Sequence, residues 1–112
     1  MTEAQISKLI QLAAHGSGCR LFRNTTGKLR DRQGRMVSFG LAVGSADLIG
    51  WVKCGTSAVF LAVEVKRPIG RITKEQQHFI DAVNRAGGLG MVARSVEDFV
   101  STVWQWRIQH GD

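Results

Sequence analysis

Ala58-Val59-Phe60-Leu61-Ala62-Val63-Glu64-Val65-Lys66 is the stretch that decides the fold. The residues before Lys66 are mostly apolar and include several β-branched side chains, which predicts a buried β-strand over residues 58–65. Side chains two positions apart in a strand share a face, so Glu64 and Lys66 lie side by side while Val63 and Val65 face the other way. A charged pair at the end of an apolar strand is costly unless another group compensates it. The strand end is therefore the first candidate for a functional site.

The segments after this strand carry alternating helix and strand signals. Thr73-Lys74-Glu75-Gln76 is a capping-box sequence, which predicts a helix from there to about residue 86. Gly87-Gly88 ends that helix, residues 89–93 form a short apolar strand, and Ser95 caps a last helix. A strand, a helix and a second strand in succession predict a parallel crossover.

The segments before the strand supply its antiparallel neighbours. Residues 47–52 predict a strand and residues 53–57 a turn, so the strand quoted above returns as a hairpin partner. Further back, residues 3–14 have apolar positions at helical spacing, residues 19–25 suggest a short strand, and another strand is expected near residues 36–39. The element order α-β-(β)-β-β-α-β-α predicts an α/β fold in which helices flank a mixed β-sheet.

Length and composition narrow the class of protein. The chain has 112 residues, 44% of them hydrophobic, which fits one compact domain over residues 1–112. No apolar run is long enough to span a membrane, and the N-terminus lacks the regions of a signal peptide. Cys19 and Cys54 have neither zinc-site spacing nor the number needed for a disulfide framework. We therefore expect reduced, structural cysteines and a cytoplasmic protein.

The charge distribution points to a polyanionic partner. The net charge is +6, and a basic balance favours nucleic acid. Much of the positive charge falls in one segment, opposed only by Asp31, that contains Arg20, Arg23, Lys28, Arg30, Arg32 and Arg35. This segment is a candidate DNA-binding surface, and Asn24 and Arg71 are further candidates. The simpler alternatives are a solvated basic loop and, for Asn24, a turn residue.

Two carboxylates can meet at the strand end. A hairpin between the two neighbouring strands would bring Asp47 close to Glu64. Mg²⁺ prefers oxygen ligands, commonly one or two carboxylates with water and phosphate oxygens, and the backbone carbonyl of Val65 is a further candidate ligand. Lys66 could orient or help to deprotonate an attacking water, or stabilise developing charge. The pattern indicates metal-assisted cleavage of a phosphodiester.

Several motifs together resemble a known nuclease family. Asp47 followed by Glu64-Val65-Lys66, on a sheet flanked by helices, is similar to the PD-(D/E)xK nuclease motif. The surrounding motifs resemble, in their order, the VRR-NUC (virus-type replication-repair nuclease) family: Arg23-Asn24-Thr25-Thr26-Gly27, Gly44-Ser45-Ala46-Asp47-Leu48-Ile49-Gly50, Gly70-Arg71-Ile72-Thr73-Lys74-Glu75-Gln76 and Ala86-Gly87-Gly88. The resemblance covers nearly the whole chain. It looks like one of the stand-alone, single-domain members typical of bacteriophages, which implies the cytoplasm of a bacterial host.

The resemblance implies a set of catalytic residues: Asp47, Glu64, Lys66, Gln76 and Glu3. Among them, Asp47 and Glu64 would bind the metal directly and Lys66 would be the catalytic lysine. Glu3 would be the acidic residue of the first helix near the metal, and Gln76 would reach the site from the second helix. The residue before Asp47 is Ala46, whereas the name of the motif has proline at this position. The position shapes the turn and supplies no ligand atom.

Each of these residues also has a simpler structural explanation. Glu3 suits the first turn of a helix, whose dipole favours an anion. Asp47 suits the start of a strand after a turn. Glu64 and Lys66 could be an exposed ion pair of little energetic value, and Gln76 could be only a capping-box partner.

The resemblance also implies an activity and its partners. We expect an endodeoxyribonuclease that depends on Mg²⁺ or Mn²⁺ and cuts branched DNA as a homodimer, like a Holliday junction resolvase, in replication, recombination or repair. Two-fold symmetry suits paired cuts in a four-way junction. Trp104 and Trp106 in the last helix suggest core packing together with a surface that could bind a second copy. The alternatives are a nucleic-acid-binding module without cleavage activity, and a nuclease acting on flaps, nicks or RNA.

Overall fold

The computed structural model describes residues 1–110, which form three helices and two β-sheets. In chain order the elements are α1 (Glu3–Gly16), β1 (Cys19–Arg23), β2 (Gly27–Arg30), β3 (Met36–Phe39), β4 (Leu48–Cys54), β5 (Ser57–Val65), α2 (Lys74–Arg85), β6 (Leu89–Ala93) and α3 (Val96–Gln109). The predicted helices and the predicted strand after the second helix are all present.

The main sheet has the strand order β1-β4-β5-β6. Its first three strands are antiparallel, with Leu48 of β4 opposite both Arg23 of β1 and Val63 of β5. The last pair, β5 and β6, is parallel and is joined through α2. The predicted α/β fold, its mixed sheet, its hairpin and its parallel crossover are therefore confirmed.

Strand β5 separates two hydrophobic cores. Val63 belongs to the larger core, which includes Phe99 of α3 and buried residues of α1. Ala62, one residue earlier, belongs to the smaller core with Ile80 of α2. Because side chains alternate along a strand, Glu64 lies on the same face of the sheet as α2. The helical layer that closes the smaller core therefore also approaches the charged end of β5.

Side-chain caps determine where the helices begin. Thr2, Thr73 and Ser95 are the N-cap residues of α1, α2 and α3. Each hydroxyl accepts a hydrogen bond from a backbone N–H in the first turn, a contact that stabilises a helix by about 1 kcal/mol. The helix starts predicted from Thr73 and Ser95 are confirmed. At α2 the same cap fixes the position of Gln76, which forms the capping box with Thr73.

The segment between β1 and β4 differs from the prediction. One strand was expected there, but β2 and β3 pair antiparallel as a separate two-stranded sheet. Every residue of β3 is exposed, and β2 is exposed beyond Gly27. β2 escaped the sequence analysis because glycine and alternating basic residues carry little strand signal. Residues 27–39 form this hairpin arm.

Several strand boundaries also differ from those predicted, by one or two residues. β4 begins at Leu48, so Asp47 precedes the strand instead of starting it. The turn after β4 is shorter than the predicted 53–57, because Cys54 pairs directly with Ser57. Gly55 adopts a φ of +60° in that turn, a backbone conformation that glycine tolerates and that tight hairpins require.

The structure also bears on the cysteines and on membrane insertion. Cys19 is buried and Cys54 is partly exposed, and neither forms a disulfide in the described chain. Burial raises the pKa of the Cys19 thiol, which keeps it neutral and unreactive. Among residues 1–110, no helix combines the length and apolar character needed to cross a bilayer.

Candidate active site

Glu64 is a charged side chain that is almost completely buried. Its exposed fraction is only 2%, although carboxylates are rarely buried unless they are paired. Its Oε2 accepts a hydrogen bond from Nε2 of Gln76 at 3.0 Å and lies 3.6 Å from Nζ of Lys66. Its Oε1 is buried and has no hydrogen-bond partner within residues 1–110. The described residues therefore hold one oxygen of the carboxylate and form no hydrogen bond with the other.

The surroundings of Glu64 disfavour its charge. Burial and the neighbouring carboxylate of Asp47 raise the pKa of Glu64 to about 7, against the opposing effect of Lys66. Two carboxylates that share a small volume repel each other when both are ionised. A cation at this position would remove the repulsion.

Asp47 reaches the site from the segment just before β4. Its backbone carbonyl accepts a hydrogen bond from the N–H of Asn24 at 2.7 Å. Its Oδ2 accepts a hydrogen bond from the N–H of Val65 at 2.9 Å. The side chain thus joins the ends of β4 and β5. The hairpin predicted from sequence does bring Asp47 to Glu64.

Gln76 combines the two roles that the sequence left as alternatives. Its Oε1 accepts the N–H of Thr73 at 2.9 Å, which completes the capping box of α2. Its Nε2 donates to Oε2 of Glu64 at 3.0 Å. Because the two ends of the amide have different partners, the helix cap fixes the orientation of the group that holds Glu64.

A polar cavity of about 380 Å³ lies beside these residues. It is lined by Glu3, Ala4, Ser7, Arg23, Asn24, Thr25, Thr26, Gly44, Ser45, Asp47, Val65 and Gln76. Gly44 has a φ of +84°, and a Cβ there would lie 2.6 Å from Cβ of Glu75. Only glycine therefore lets the loop before Asp47 lie against α2.

The chain matches the family model of the VRR-NUC domain over residues 28–97. This span is more than half of its 112 residues, and it contains Asp47, Glu64, Lys66 and Gln76. The chain belongs to the VRR-NUC domain family. Membership identifies it as a nuclease-family protein. Comparisons with curated proteins and with solved structures gave no match.

The site residues of this VRR-NUC domain suit a divalent cation. Two neighbouring carboxylates, one with a buried oxygen that forms no hydrogen bond in the described part of the chain, are the kind of donor set that Mg²⁺ prefers. Within residues 1–110, no three His, Cys, Asp or Glu side chains gather as a metal-binding group. An ion would therefore complete its coordination with backbone oxygen, water or substrate phosphate, which is common for Mg²⁺.

Glu3 lies near the site without joining the two carboxylates. It lines the cavity, and its Oε2 accepts the N–H of Arg67 at 3.4 Å. That contact ties the start of α1 to the chain just after Lys66. The metal-binding role of Glu3 stays a prediction, and so does the role of the Val65 carbonyl.

The predicted DNA-binding residues lie in three parts of the structure. Arg23 and Asn24 line the cavity, whereas Lys28, Arg30, Arg32 and Arg35 lie on the exposed hairpin arm. Arg35 forms an ion pair with Asp31 at 2.8 Å, and Nη1 of Arg30 donates to the carbonyl of Gly34. Arg71 is exposed in the segment between Lys66 and α2. Their contacts with DNA remain predictions.

One supporting residue of the VRR-NUC domain was missed by sequence analysis. Nη1 of Arg94 donates to the carbonyl oxygens of Arg67, Pro68 and Gly70 at 2.8, 3.3 and 2.6 Å. The guanidinium therefore fastens the loop that connects Lys66 to α2. No local pattern marks this role, because Arg94 follows β6 and lies far from that loop in sequence.

Proposed function

We propose that this VRR-NUC domain is a divalent-metal-dependent endodeoxyribonuclease that acts on branched DNA in replication, recombination or repair. The observation that carries the proposal is the buried carboxylate of Glu64, which lies next to Asp47 and whose Oε1 has no hydrogen-bond partner among residues 1–110. A structural ion pair would satisfy both oxygens, whereas a metal ligand must leave one available. The lysine that the chemistry requires lies within reach of the same carboxylate.

Asp47 and Glu64 would hold the cation, with the Val65 carbonyl as a third protein ligand. In a strand, the N–H and C=O of one residue point to the same side, and the N–H of Val65 points to Asp47. Bound Mg²⁺ or Mn²⁺ supplies positive charge that activates water and neutralises the phosphate. Glu3 would act from the cavity wall through intervening water.

Lys66 would act on the attacking water or on the phosphate. Its side chain is only 14% exposed, and its Nζ lies on the Oε2 side of Glu64. Gln76 donates to that same oxygen and keeps the carboxylate from rotating. The ammonium group is thereby directed toward the site, where it can orient water and stabilise the charge that develops on phosphate.

The DNA would reach this site along the hairpin arm. Thr26 lines the cavity and leads directly into β2, and Gly44, which also lines it, lies in the loop after β3. The arm carries four of the basic residues, so it places positive charge beside the opening. Arg23 inside the cavity would contact the scissile phosphate, and Arg71 would contact the flanking backbone.

A cleavage panel tests the proposal. Single strand, duplex, flap, fork and four-way junction would be incubated with Mg²⁺, Mn²⁺ or EDTA. We expect metal-dependent cutting with preference for the junction. Lys66→Ala should abolish cutting with little loss of DNA binding, whereas Lys53→Ala, at an exposed lysine of β4, should cut normally.

Three results would contradict parts of the proposal. Binding of DNA without cutting any substrate in the presence of metal would leave only a binding module. Metal-dependent cutting of RNA in preference to DNA would change the substrate class. Normal cutting by the Lys66→Ala variant would remove that residue from the mechanism.

A further inference from the structure

The side-chain amide and the backbone N–H of Asn24 all form hydrogen bonds within the chain. Its Nδ2 donates to Oγ of Ser45 at 2.8 Å and to the carbonyl of Ala46 at 2.9 Å. Its Oδ1 accepts the N–H of Leu41 at 3.2 Å. Its own N–H donates to the carbonyl of Asp47 at 2.7 Å. One residue thus makes four contacts with the loop that ends at Asp47.

Side-chain contacts hold that loop: Ala46 packs in the smaller core, Asp47 Oδ2 accepts the N–H of Val65, and Asn24 makes the four hydrogen bonds above. The segment from Gly40 to Asp47 contains neither helix nor strand, and β4 begins only at Leu48. Ser45 and Ala46 are nevertheless 8% and 1% exposed. Their burial requires that the loop be held against the sheet, and the amide of Asn24 supplies two of the bonds that do so.

We propose that Asn24 is a positioning residue for the metal ligand Asp47, and that it does not bind DNA phosphate. The inference rests on the proposed function, because it takes Asp47 to be a metal ligand. Asn24 lies outside the span that matches the VRR-NUC family model. Its role follows instead from the hydrogen bonds that bring the Asp47 carboxylate to the end of β5.

The chemistry of the contacts explains why the side chain is an amide. The site needs two donors and one acceptor at one short side chain, and asparagine offers all three. Alanine removes them all, whereas Ser45→Ala removes a single acceptor and leaves the bond from Nδ2 to Ala46. Groups that orient a metal ligand typically change metal affinity when they are lost, although they never touch the metal.

A second asparagine provides a matched control. Asn84 donates from Nδ2 to the carbonyl of Gly90 at 3.1 Å and accepts the N–H of Gly90 at 2.8 Å. This is the same kind of amide clamp, but it joins α2 to β6 and does not line the cavity. Asn84→Ala should therefore lower thermal stability as Asn24→Ala does, without affecting the metal site.

The test measures Mn²⁺ binding to the full chain in the absence of DNA. Electron paramagnetic resonance or calorimetry gives the affinity. Asn24→Ala should weaken Mn²⁺ binding by about 10-fold or more, Ser45→Ala by a smaller factor, and Asn84→Ala not at all. Melting temperatures would be measured on the same samples. DNA affinity in EDTA should be the same for Asn24→Ala and the unsubstituted protein.

The outcomes separate this inference from the proposed function. If the unsubstituted protein binds no Mn²⁺, the metal-dependent function fails and the inference fails with it. If it binds Mn²⁺ and Asn24→Ala binds equally well, only the inference fails. Weaker DNA binding in EDTA with unchanged Mn²⁺ affinity would restore the phosphate-contact role. Should Asn24→Ala not fold, Ser45→Ala against Asn84→Ala decides the question by the same measurement.

Discussion

A carboxylate with one satisfied oxygen and one unsatisfied oxygen is the residue-scale feature on which the site depends. Burial of Glu64 costs free energy, because the carboxylate charge loses its hydration. The contacts with Gln76 and Lys66 compensate only part of this loss. The charge of the neighbouring Asp47 adds to the cost. Ionisable residues that are destabilised by burial and by a neighbouring like charge cluster at functional sites, because a bound ligand can compensate both effects.

The raised pKa of Glu64 leads to a prediction about metal-free stability. Glu64 has a pKa of about 7 in the folded protein against an ordinary value of 4.5. As pH rises between these values, the unfolded chain loses its proton while the folded chain keeps it, so folding becomes less favourable. The loss is complete above the folded pKa, where it amounts to roughly 3 kcal/mol.

Glu64→Gln should therefore stabilise the metal-free protein at pH 8 and leave it unchanged near pH 4. The measurement is urea unfolding in EDTA across this range, with the difference between variant and unsubstituted protein plotted against pH. A difference that does not grow with pH would show that Glu64 is ionised without cost. Mn²⁺ should stabilise only the unsubstituted protein, because ligand binding favours the folded state.

At the scale of elements, the hairpin arm and helix α2 contribute in different ways. Helix α2 presents Gln76 through its own N-terminal cap, so a local signal and a site contact coincide in one residue. The hairpin arm packs little against the rest of the molecule and exposes its side chains. A two-stranded hairpin is only marginally stable in water. This property suits an element that contact with a substrate would stabilise.

The arm leads to a prediction about salt dependence. Lys28 and Arg32 are exposed and have no side-chain partner in the described chain, unlike Arg35. Neutralising both to alanine should reduce the slope of log affinity against log salt by about 0.9 for each lost phosphate contact on duplex DNA. The double variant Lys53→Ala/Arg85→Ala loses the same net charge away from the arm and should keep the slope. Equal changes in both double variants would show that only total charge matters.

At the scale of the whole molecule, an exposed apolar stripe on α3 supports a homodimer. Trp106 is buried in the larger core, at 9% exposure, so the predicted core role of this tryptophan is confirmed. Trp104 is 67% exposed and lies between Val100 and Ile108, which are also exposed. Residues four apart lie on one helical face, and such a face can pack against its own copy across a two-fold axis.

We expect the protein to sediment as a dimer and the double variant Trp104→Ser/Ile108→Ser to sediment as a monomer. Sedimentation equilibrium measures this directly. Leu29→Ser is the control, because Leu29 is as exposed as Ile108, at 65%, but lies on the hairpin arm. Mn²⁺ binding should persist in the monomer, since the carboxylates of each site come from one chain. A monomeric unsubstituted protein would contradict the dimer.

Local sequence was sufficient for most of the fold. Capping residues at positions 2, 73 and 95 and the apolar run before Lys66 act over a few residues, so the helices, β5 and its hairpin with β4 followed from periodicity and turn chemistry alone. The pair Asp47 and Glu64 followed from that hairpin. Strand β2 could not be predicted in this way, because its residues do not pack in a hydrophobic core and therefore show no apolar pattern.

The finer arrangement of the site was decided only by the tertiary structure. Asn24 contacts a loop beyond the hairpin arm, Glu3 meets Arg67, and Arg94 binds the carbonyls that follow Lys66. These contacts join residues that are distant in the chain, and a polar side chain gives no local sign of the backbone group it will meet. The periodicity of apolar residues encodes which face of a helix or strand is buried. Tertiary folding, which brings distant parts of the chain together, determines which polar groups lie beside Glu64.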